Sequence, residues 1–308
     1  MQPKVSVIIP VYNTASYLRD TVDSIRNQTL HEIEIIILND GSTDNSLDII
    51  KEYAALDNRI QYYSQPNQGI AVTRTNALKY TNGRYLYFID SDDILEDKRA
   101  LQECFELCEN EKLDFVCFDA IQKQEIEKQN SNIPNYTRGD KIENKIWNGK
   151  DLLEYELIHK LLRTPVWLYF INRSFLTAFF KRFIPGIIHE DNSYVIQIHL
   201  NAKCVRYISK SYITRRVRQN SIMTNKFSMR NIEGYTAGCI EIQDLIQNHP
   251  EWKTVIDLYL HNTLNDVIWA GHRMTFLEKV ETFCRFHRLS LNKYITLRNW
   301  VVFWLKRK

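Results

Sequence analysis

The chain has 308 residues, 44% of them hydrophobic and 25% charged, with a formal net charge of +3. That length suits one large or two modest domains of a soluble globular protein. So small a net charge gives no argument for a nucleic-acid partner, and no apolar run is long enough to span a bilayer. Apolar residues begin within a few positions of the N-terminus and read as a strand, so no signal peptide is expected. The six cysteines have no C-x-x-C spacing, which makes a reducing cytoplasm the expected compartment. Cys104 and Cys108, four apart, suit a packed helical face better than half of a zinc site.

In chain order, Val5 to Ile9 is a β-rich run ended by Pro10. Tyr17, Leu18, Val22 and Ile25 recur at helical spacing. Glu34 to Leu38 reads as a strand buried on both faces, and Asn39-Asp40-Gly41-Ser42 as the turn that ends it. Leu47, Ile50 and Ala54 carry a second helix, with Asp44 the expected cap. Then follow a strand at Ile60–Tyr63, the loop Gln65–Gly69, a helix at Ile70–Tyr80 and a strand at Tyr85–Ile89. A helix at Lys98–Asn110 and a strand at Phe115–Phe118 complete the series. Repeated β-α units predict a mostly parallel sheet covered by helices. Ligands of such sheets bind beyond the carboxyl ends of the strands. Pro10–Asn13, Asp40 and Asp90-Ser91-Asp92 all fall at those ends.

Gln122 to Lys145 is polar and poor in large apolar residues, and reads as a loop or hairpin, either an active-site lid or a solvated insertion. Helical patterns resume after Asp151, break around Pro185-Gly186, and dominate from about Asn231 to the end.

The segment Phe88-Ile89-Asp90-Ser91-Asp92-Asp93 carries the most chemistry. An apolar run stops in three carboxylates within four residues. Such clusters repel one another unless a cation sits among them, and oxygen ligands suit a hard divalent metal. This segment, with Val5–Asn13, Asn39–Ser46, and Asn67-Gln68-Gly69 followed by Arg74, resembles the family 2 glycosyltransferases. The resemblance is strong to about residue 100 and thin from there to about residue 222.

The resemblance implies an α/β fold of the GT-A type, Rossmann-like, with a mostly parallel central sheet flanked by helices and a helical C-terminal region. It divides the chain into a catalytic domain, 1–222, and a C-terminal region, 223–308. Within the former, 1–120 would bind the nucleotide and 121–222 the acceptor. Pro10, Tyr12 and Asn13 would line the base, where a tyrosine ring offers a stacking face. Asp40 would accept from the uracil N–H; its alternative is a helix cap or Asx-turn. Arg74 would reach the base or the diphosphate. Asp90 and Ser91 would hold the ribose or sugar, and Asp92 would hold Mn²⁺ or Mg²⁺ beneath the two phosphates. Asp93 would support the metal or cap the next helix. Thr75 and Ala77 depart from the Asn and Gly usual in the family.

Inversion needs a base opposite the leaving group. His189-Glu190-Asp191 resembles the family's acidic pair, with Asp191 as the base, Glu190 the fallback and His189 a weaker candidate. The bland alternative is a helix start with acids in its first turn. Arg216, Arg218 and Ser221 resemble a loop that closes over the diphosphate, with Arg215 leaving the register open by one residue. Trp167 stands where relatives place an aromatic near the acceptor, but Tyr169 replaces their usual Lys.

After Glu281 the chain has no acid, while Arg285, Arg288, Lys293, Arg298, Lys306, Arg307 and Lys308 are cationic. Leu297, Val301, Trp304 and Leu305 recur among them at helical spacing, which suits either an anionic membrane surface or packing on the protein's own domain. Each cation near anionic lipid contributes about 1 kcal/mol.

These readings combine into an inverting, metal-dependent transferase that moves a hexose or N-acetylhexosamine from a UDP-sugar to a glycan or glycolipid acceptor. The expected setting is a growing lipooligosaccharide, O-antigen or capsule at the inner face of the cytoplasmic membrane, with a homodimer possible in principle. The rivals are a non-catalytic nucleotide- or glycan-binding subunit and a sugar nucleotidyltransferase. The latter would need a Gly-rich phosphate loop where Pro10–Asn13 stands, and a dehydrogenase would need G-x-G-x-x-G there.

Overall fold

A computed structural model describes residues 2–124, 135–217 and 226–306. β1 (Val5–Val11) and β2 (Ile33–Asn39) are buried at every position, which explains their largely apolar character; the buried Ser6 and Glu34 pair with each other at 2.5 Å. With β3 (Ile60–Ser64) and β4 (Tyr85–Phe88) they form a parallel group in the order β3-β2-β1-β4. The intervening helices are α1 (Ala15–Arg26), α2 (Ser46–Leu56) and α3 (Ile70–Ala77). The helix expected through Tyr80 tightens after Ala77 into a 3₁₀ turn, Leu78–Tyr80.

Pro10 does not end β1; the strand runs on to Val11. Ile8 O accepts from Ile89 N on the β4 side, and Val11 O accepts from Asp40 N on the β2 side. Pro10 therefore faces the β4 side, where pairing has already stopped at Ile8. Its missing N–H costs no ladder bond there.

The sheet continues through β5 (Ile94–Leu95), β6 (Phe115–Gln124), β7 (Tyr169–Asn172) and β8 (Val205–Val217) to an overall order β3-β2-β1-β4-β7-β6-β8-β5. β7 is antiparallel to both β4 and β6, and β6 and β8 are parallel. Helices α4 (Ala100–Glu111), α5 (Gly149–Ile158), α6 (Arg173–Phe179) and α7 (Asp191–Asn201) pack around this half. Cys104 and Cys108 lie buried on α4, as their spacing suggests. A helical region follows: α8 (Met229–Asp244), α9 (Lys253–Ala270), α10 (Phe276–Arg288) and α11 (Leu297–Leu305). One apolar core surrounds the sheet. A second joins α8–α11 to Leu153 and Leu157 of α5 and Ile196 and Leu200 of α7. No described helix is long and apolar enough to cross a membrane.

The polar stretch after Gln122 is not simply a solvated insertion. β6 extends to Gln124, and on the far side Tyr136, Arg138 and Ile142 are buried. Arg138 donates from Nε to Glu156 at 2.7 Å and from Nη1 to Phe118 O at 2.9 Å, while its backbone N–H donates to Asp119 at 2.9 Å. A buried guanidinium with these partners fastens the segment to β6 and α5, which its composition hides.

Candidate active site

The loops after β1, β2 and β4 lock onto one another. Asn13 takes φ +51°, a left-handed conformation that Asn tolerates, and its Oδ1 accepts from Thr43 N at 2.7 Å. Asp44 Oδ2 accepts from Ala15 N and Oδ1 from Ser46 N, so one carboxylate serves the starts of both α1 and α2. Asp40 is buried and caps no helix. Its carboxylate accepts from Gln65 Nε2 at 2.8 Å and from the backbone N–H groups of Gln68 and Gly69 at 2.9 Å each. Gly41, at φ +69°, lets this turn approach Asn67, whose N would lie 2.7 Å from an added Cβ. Ser91 is buried and accepts from Thr14 Oγ1 at 2.9 Å. Tyr12 stays about half exposed at the rim, above the buried Pro10.

Beyond β4, ligand oxygens of Asp90, Asp92 and Asp93 all lie within 4.8 Å of one another. Asp93 is buried, and its Oδ1 accepts from Arg216 N at 3.0 Å. Burial, then the charges of Asp92 and Asp90, push its carboxyl far above the ordinary range. It caps no helix: β5 follows directly, and α4 starts only at Ala100. An all-oxygen donor set with one member reluctant to ionise alone fits a hard divalent cation.

Arg74 projects from α3 into the centre of the site and is nearly inaccessible. Its Nη2 donates to Asp90 at 2.7 Å and its Nη1 to Glu190 at 2.6 Å, across 116 residues of sequence. Burial would lower its pKa, but Asp90, Glu190 and Asp191 hold it above its ordinary value. Glu190 is the N-cap of α7 and Asp191 its first residue, so the acids do stand in a helix's first turn. Both carboxyls are raised, Glu190 by burial and then by Asp191, and Asp191 by burial against the opposing pull of Arg74. The N–H of Val166 bonds to Asp191 and sets it beside the turn Val166–Leu168.

The segment leading to this pair is tightly held. Thr75 Oγ1, where the family usually has Asn, accepts from Phe183 N at 3.1 Å. His189 sits at φ +65°, a conformation costly for a side chain of its size. Its ring stacks on Tyr235, with centroids 4.2 Å apart, and its Nε2 accepts from Asn231 Nδ2 at 3.0 Å. Burial pushes its pKa down to about 4, so the ring is neutral at pH 7 and that acceptor role is kept. Gly234 lies so close that a Cβ there would meet Ile188 O at 2.1 Å.

Trp167 is buried, edge-on to Tyr136 with centroids 5.0 Å apart. The charges of Asp191, Asp93 and Asp90 all reach Tyr136, and Arg215 lies over its ring at 5.5 Å. Tyr136 is thus a site residue that the motifs do not reveal. Its one sequence signal is that it is the sole aromatic between Phe118 and Trp147. Tyr169 is buried in β7 and donates to Arg163 O at 2.5 Å. Arg216 turns its guanidinium to Asp20 of α1, at 2.6 Å. Of the two register choices, Arg215 is the one over the site, while Arg218 and Ser221 lie outside the described residues.

Residues 6–167 match the model of Glycosyl transferase family 2. The chain belongs to this family. Among its relatives are GlyA of Streptococcus pneumoniae, a glycosyltransferase, and YibD of Escherichia coli, an uncharacterized glycosyltransferase. Each is 30% identical over 222 residues. The matches take in 71% and 68% of this chain but 31% of GlyA and 60% of YibD, so the chain spans only part of these relatives. The family fold is also that of S. aureus TarS 1-349, solved with UDP-GlcNAc, at TM-score 0.69 and 18% identity over 94% of this chain and 89% of that one. The mannosyltransferase PcManGT of Pyrobaculum calidifontis, solved with GDP-Man and Mn²⁺, superposes at TM-score 0.59 and 15% identity, covering 98% and 84% of the two chains. The GT-A architecture with a helical C-terminal region, expected from the motifs, is the one found.

Proposed function

We propose that this family 2 member transfers a hexose or N-acetylhexosamine, with inversion, from a UDP-sugar to a hydroxyl of a growing surface glycan. The observation that supports it most is the Arg74 bridge, which brings Glu190 and Asp191 to the carboxylate cluster at the end of β4. In this reading Tyr12 stacks on the base and Asp40, through the Gln65–Gly69 loop it orders, shapes the edge of the base pocket. Asp92, with Asp90 and Asp93, would hold Mn²⁺ or Mg²⁺. When bound, that cation stabilises negative charge on the departing diphosphate. Asp191 takes the acceptor hydroxyl proton as the hydroxyl oxygen bonds to the anomeric carbon and the sugar–phosphate bond breaks on the opposite face. Its raised pKa makes it a stronger base than an exposed Asp. In the same reading Arg215, which lies over the Tyr136 ring, meets the diphosphate, and Trp167 with Tyr136 walls the acceptor side. TarS, solved with UDP-GlcNAc, lends support to a uridine donor.

Calorimetric titration with UDP and GDP, each with and without Mn²⁺, tests this directly. Metal-dependent UDP binding is expected. Preference for GDP would redirect the donor to a GDP-sugar, and binding of neither by folded protein would refute the nucleotide-sugar reading. Asp191→Asn should keep UDP binding and lose sugar transfer; unchanged transfer would remove Asp191 as the base.

A further inference from the structure

The C-terminal helices leave an apolar face uncovered. On α11, Leu297, Val301 and Leu305 recur at i, i+4 and i+8, and Leu297 and Leu305 are 80% and 72% exposed. On α10, Phe276 and Leu277 are 71% and 78% exposed, with Val280 and Cys284 continuing the stripe. Both helices already bury an opposite face, through Phe286 and Phe303 respectively. The exposed stripes are therefore surplus to the core and cannot be explained by it.

Ring contacts join the two helices. Phe276 meets Trp304 at 6.2 Å, and Phe283 meets Trp304 at 5.9 Å and Trp300 at 5.2 Å. This fixes α10 and α11 side by side, with the Phe276 end of one against the Leu305 end of the other. Lys306 lies over the half-exposed Trp269 at 4.7 Å, extending the aromatic seam to the end of α9. Half-buried tryptophans beside aliphatic stripes are the composition of a membrane-interface belt.

Cations outnumber acids around this face. Arg273, Arg288, Lys293, Arg298 and Lys306 are exposed on or beside the two helices, and the sequence has no acid after Glu281. Two acids on α10 oppose them, Glu278, which closes the capping box with Thr275, and the exposed Glu281, so five cations face two carboxylates. Contact between two copies would set this cationic face against itself, which disfavours a dimer. A surface bearing anionic headgroups over apolar chains complements both its features.

We propose that α10 and α11 together form a docking face for an anionic lipid bilayer, with Phe276, Leu277, Leu297, Val301 and Leu305 entering the headgroup boundary. This deepens the surface-glycan reading, since a lipid-carried acceptor would be presented at the same boundary. The docking itself needs no catalysis, so the two stand or fall separately. The sequence alone points to α11; the second stripe on α10 comes from the packing.

The test is flotation of the full chain with vesicles of phosphatidylcholine alone and of phosphatidylcholine mixed with phosphatidylglycerol. Binding is expected to the anionic vesicles, weaker in raised salt. L277E/L305E alters only exposed positions and should cut that binding by at least roughly tenfold, with UDP binding unchanged. Failure of the parent chain to bind anionic vesicles would overturn the proposal. So would undiminished binding by L277E/L305E. Light scattering closes the remaining route: a parent dimer that L277E/L305E converts to monomer would make this face a contact between copies instead.

Discussion

Arg74→Met tests whether the site's halves are joined by charge. In the parent, the Arg74 and Glu190 side chains are 4% and 5% exposed at a separation of 2.6 Å, while Asp90 is 32% exposed. Losing the exposed arm costs little, under about 1 kcal/mol. Losing the buried arm strands a carboxylate, which typically costs about 3–5 kcal/mol. Glu190 is already poised toward protonation by its burial and by Asp191, so it can escape part of that cost by taking a proton. The expected loss at neutral pH is therefore near the bottom of the range, about 3 kcal/mol. Glu190→Gln leaves Arg74 with Asp90 and should cost about 1–2 kcal/mol. With both changes position 190 no longer strands a charge, and Asp191 loses Arg74 whether or not Glu190 is present, so the double variant should fall short of the sum by about 2 kcal/mol. Urea denaturation with chelator present measures all four proteins, and equal m-values confirm that only stability has changed. Additivity within about 0.5 kcal/mol would refute the buried bridge as the coupling element.

Asp92→Ala should abolish the metal dependence of nucleotide binding while the thermal midpoint without metal holds or rises, since a repelling carboxylate leaves the cluster. A variant that still binds UDP only with Mn²⁺ would displace Asp92 as a ligand. Asp93, Glu190 and Asp191 all have raised pKa values in the folded chain. Their protonated forms stabilise the metal-free fold fully below the unfolded carboxylate range near about 4, and that contribution is lost as pH rises through the folded values. Each retained proton gives a slope of about −1.4 kcal/mol per pH unit, so calorimetric midpoints in chelator should fall from about pH 5 to about pH 8, less steeply in Asp93→Asn. A rising midpoint in the parent would contradict the assignment. Gly234→Ala pushes a Cβ into Ile188 O and so displaces the turn that carries Glu190 and Asp191. Transfer should drop at least roughly tenfold with UDP affinity intact; unchanged kcat would show that the turn tolerates the shift.

The sequence by itself determined the N-terminal, parallel half of the sheet. β1 and β2 are buried on both faces, so their residues are mostly apolar, and Gly41 and Asp44 mark turns by local chemistry. Those signals are short-range, and they place Asp40, Asp90 and Asp92 at strand ends before any packing is considered. The extent of β1 past Pro10 was not legible, because it depends on where the neighbouring β4 stops. Tertiary structure decided the rest. Asp191 belongs to the site because Arg74, on a helix 116 residues earlier, pairs with its neighbour Glu190. Tyr136 and Arg138 look like parts of a polar loop, yet one feels the charges of Asp90, Asp93 and Asp191 and the other is fully buried by partners on β6 and α5. Arg215 and Arg216 are equivalent in composition, but the register of β8 sends one over Tyr136 and the other to Asp20. Local propensity extends over a turn or two of chain, whereas ion pairs and burial depend on which distant segments share a volume, and only the folded chain fixes that.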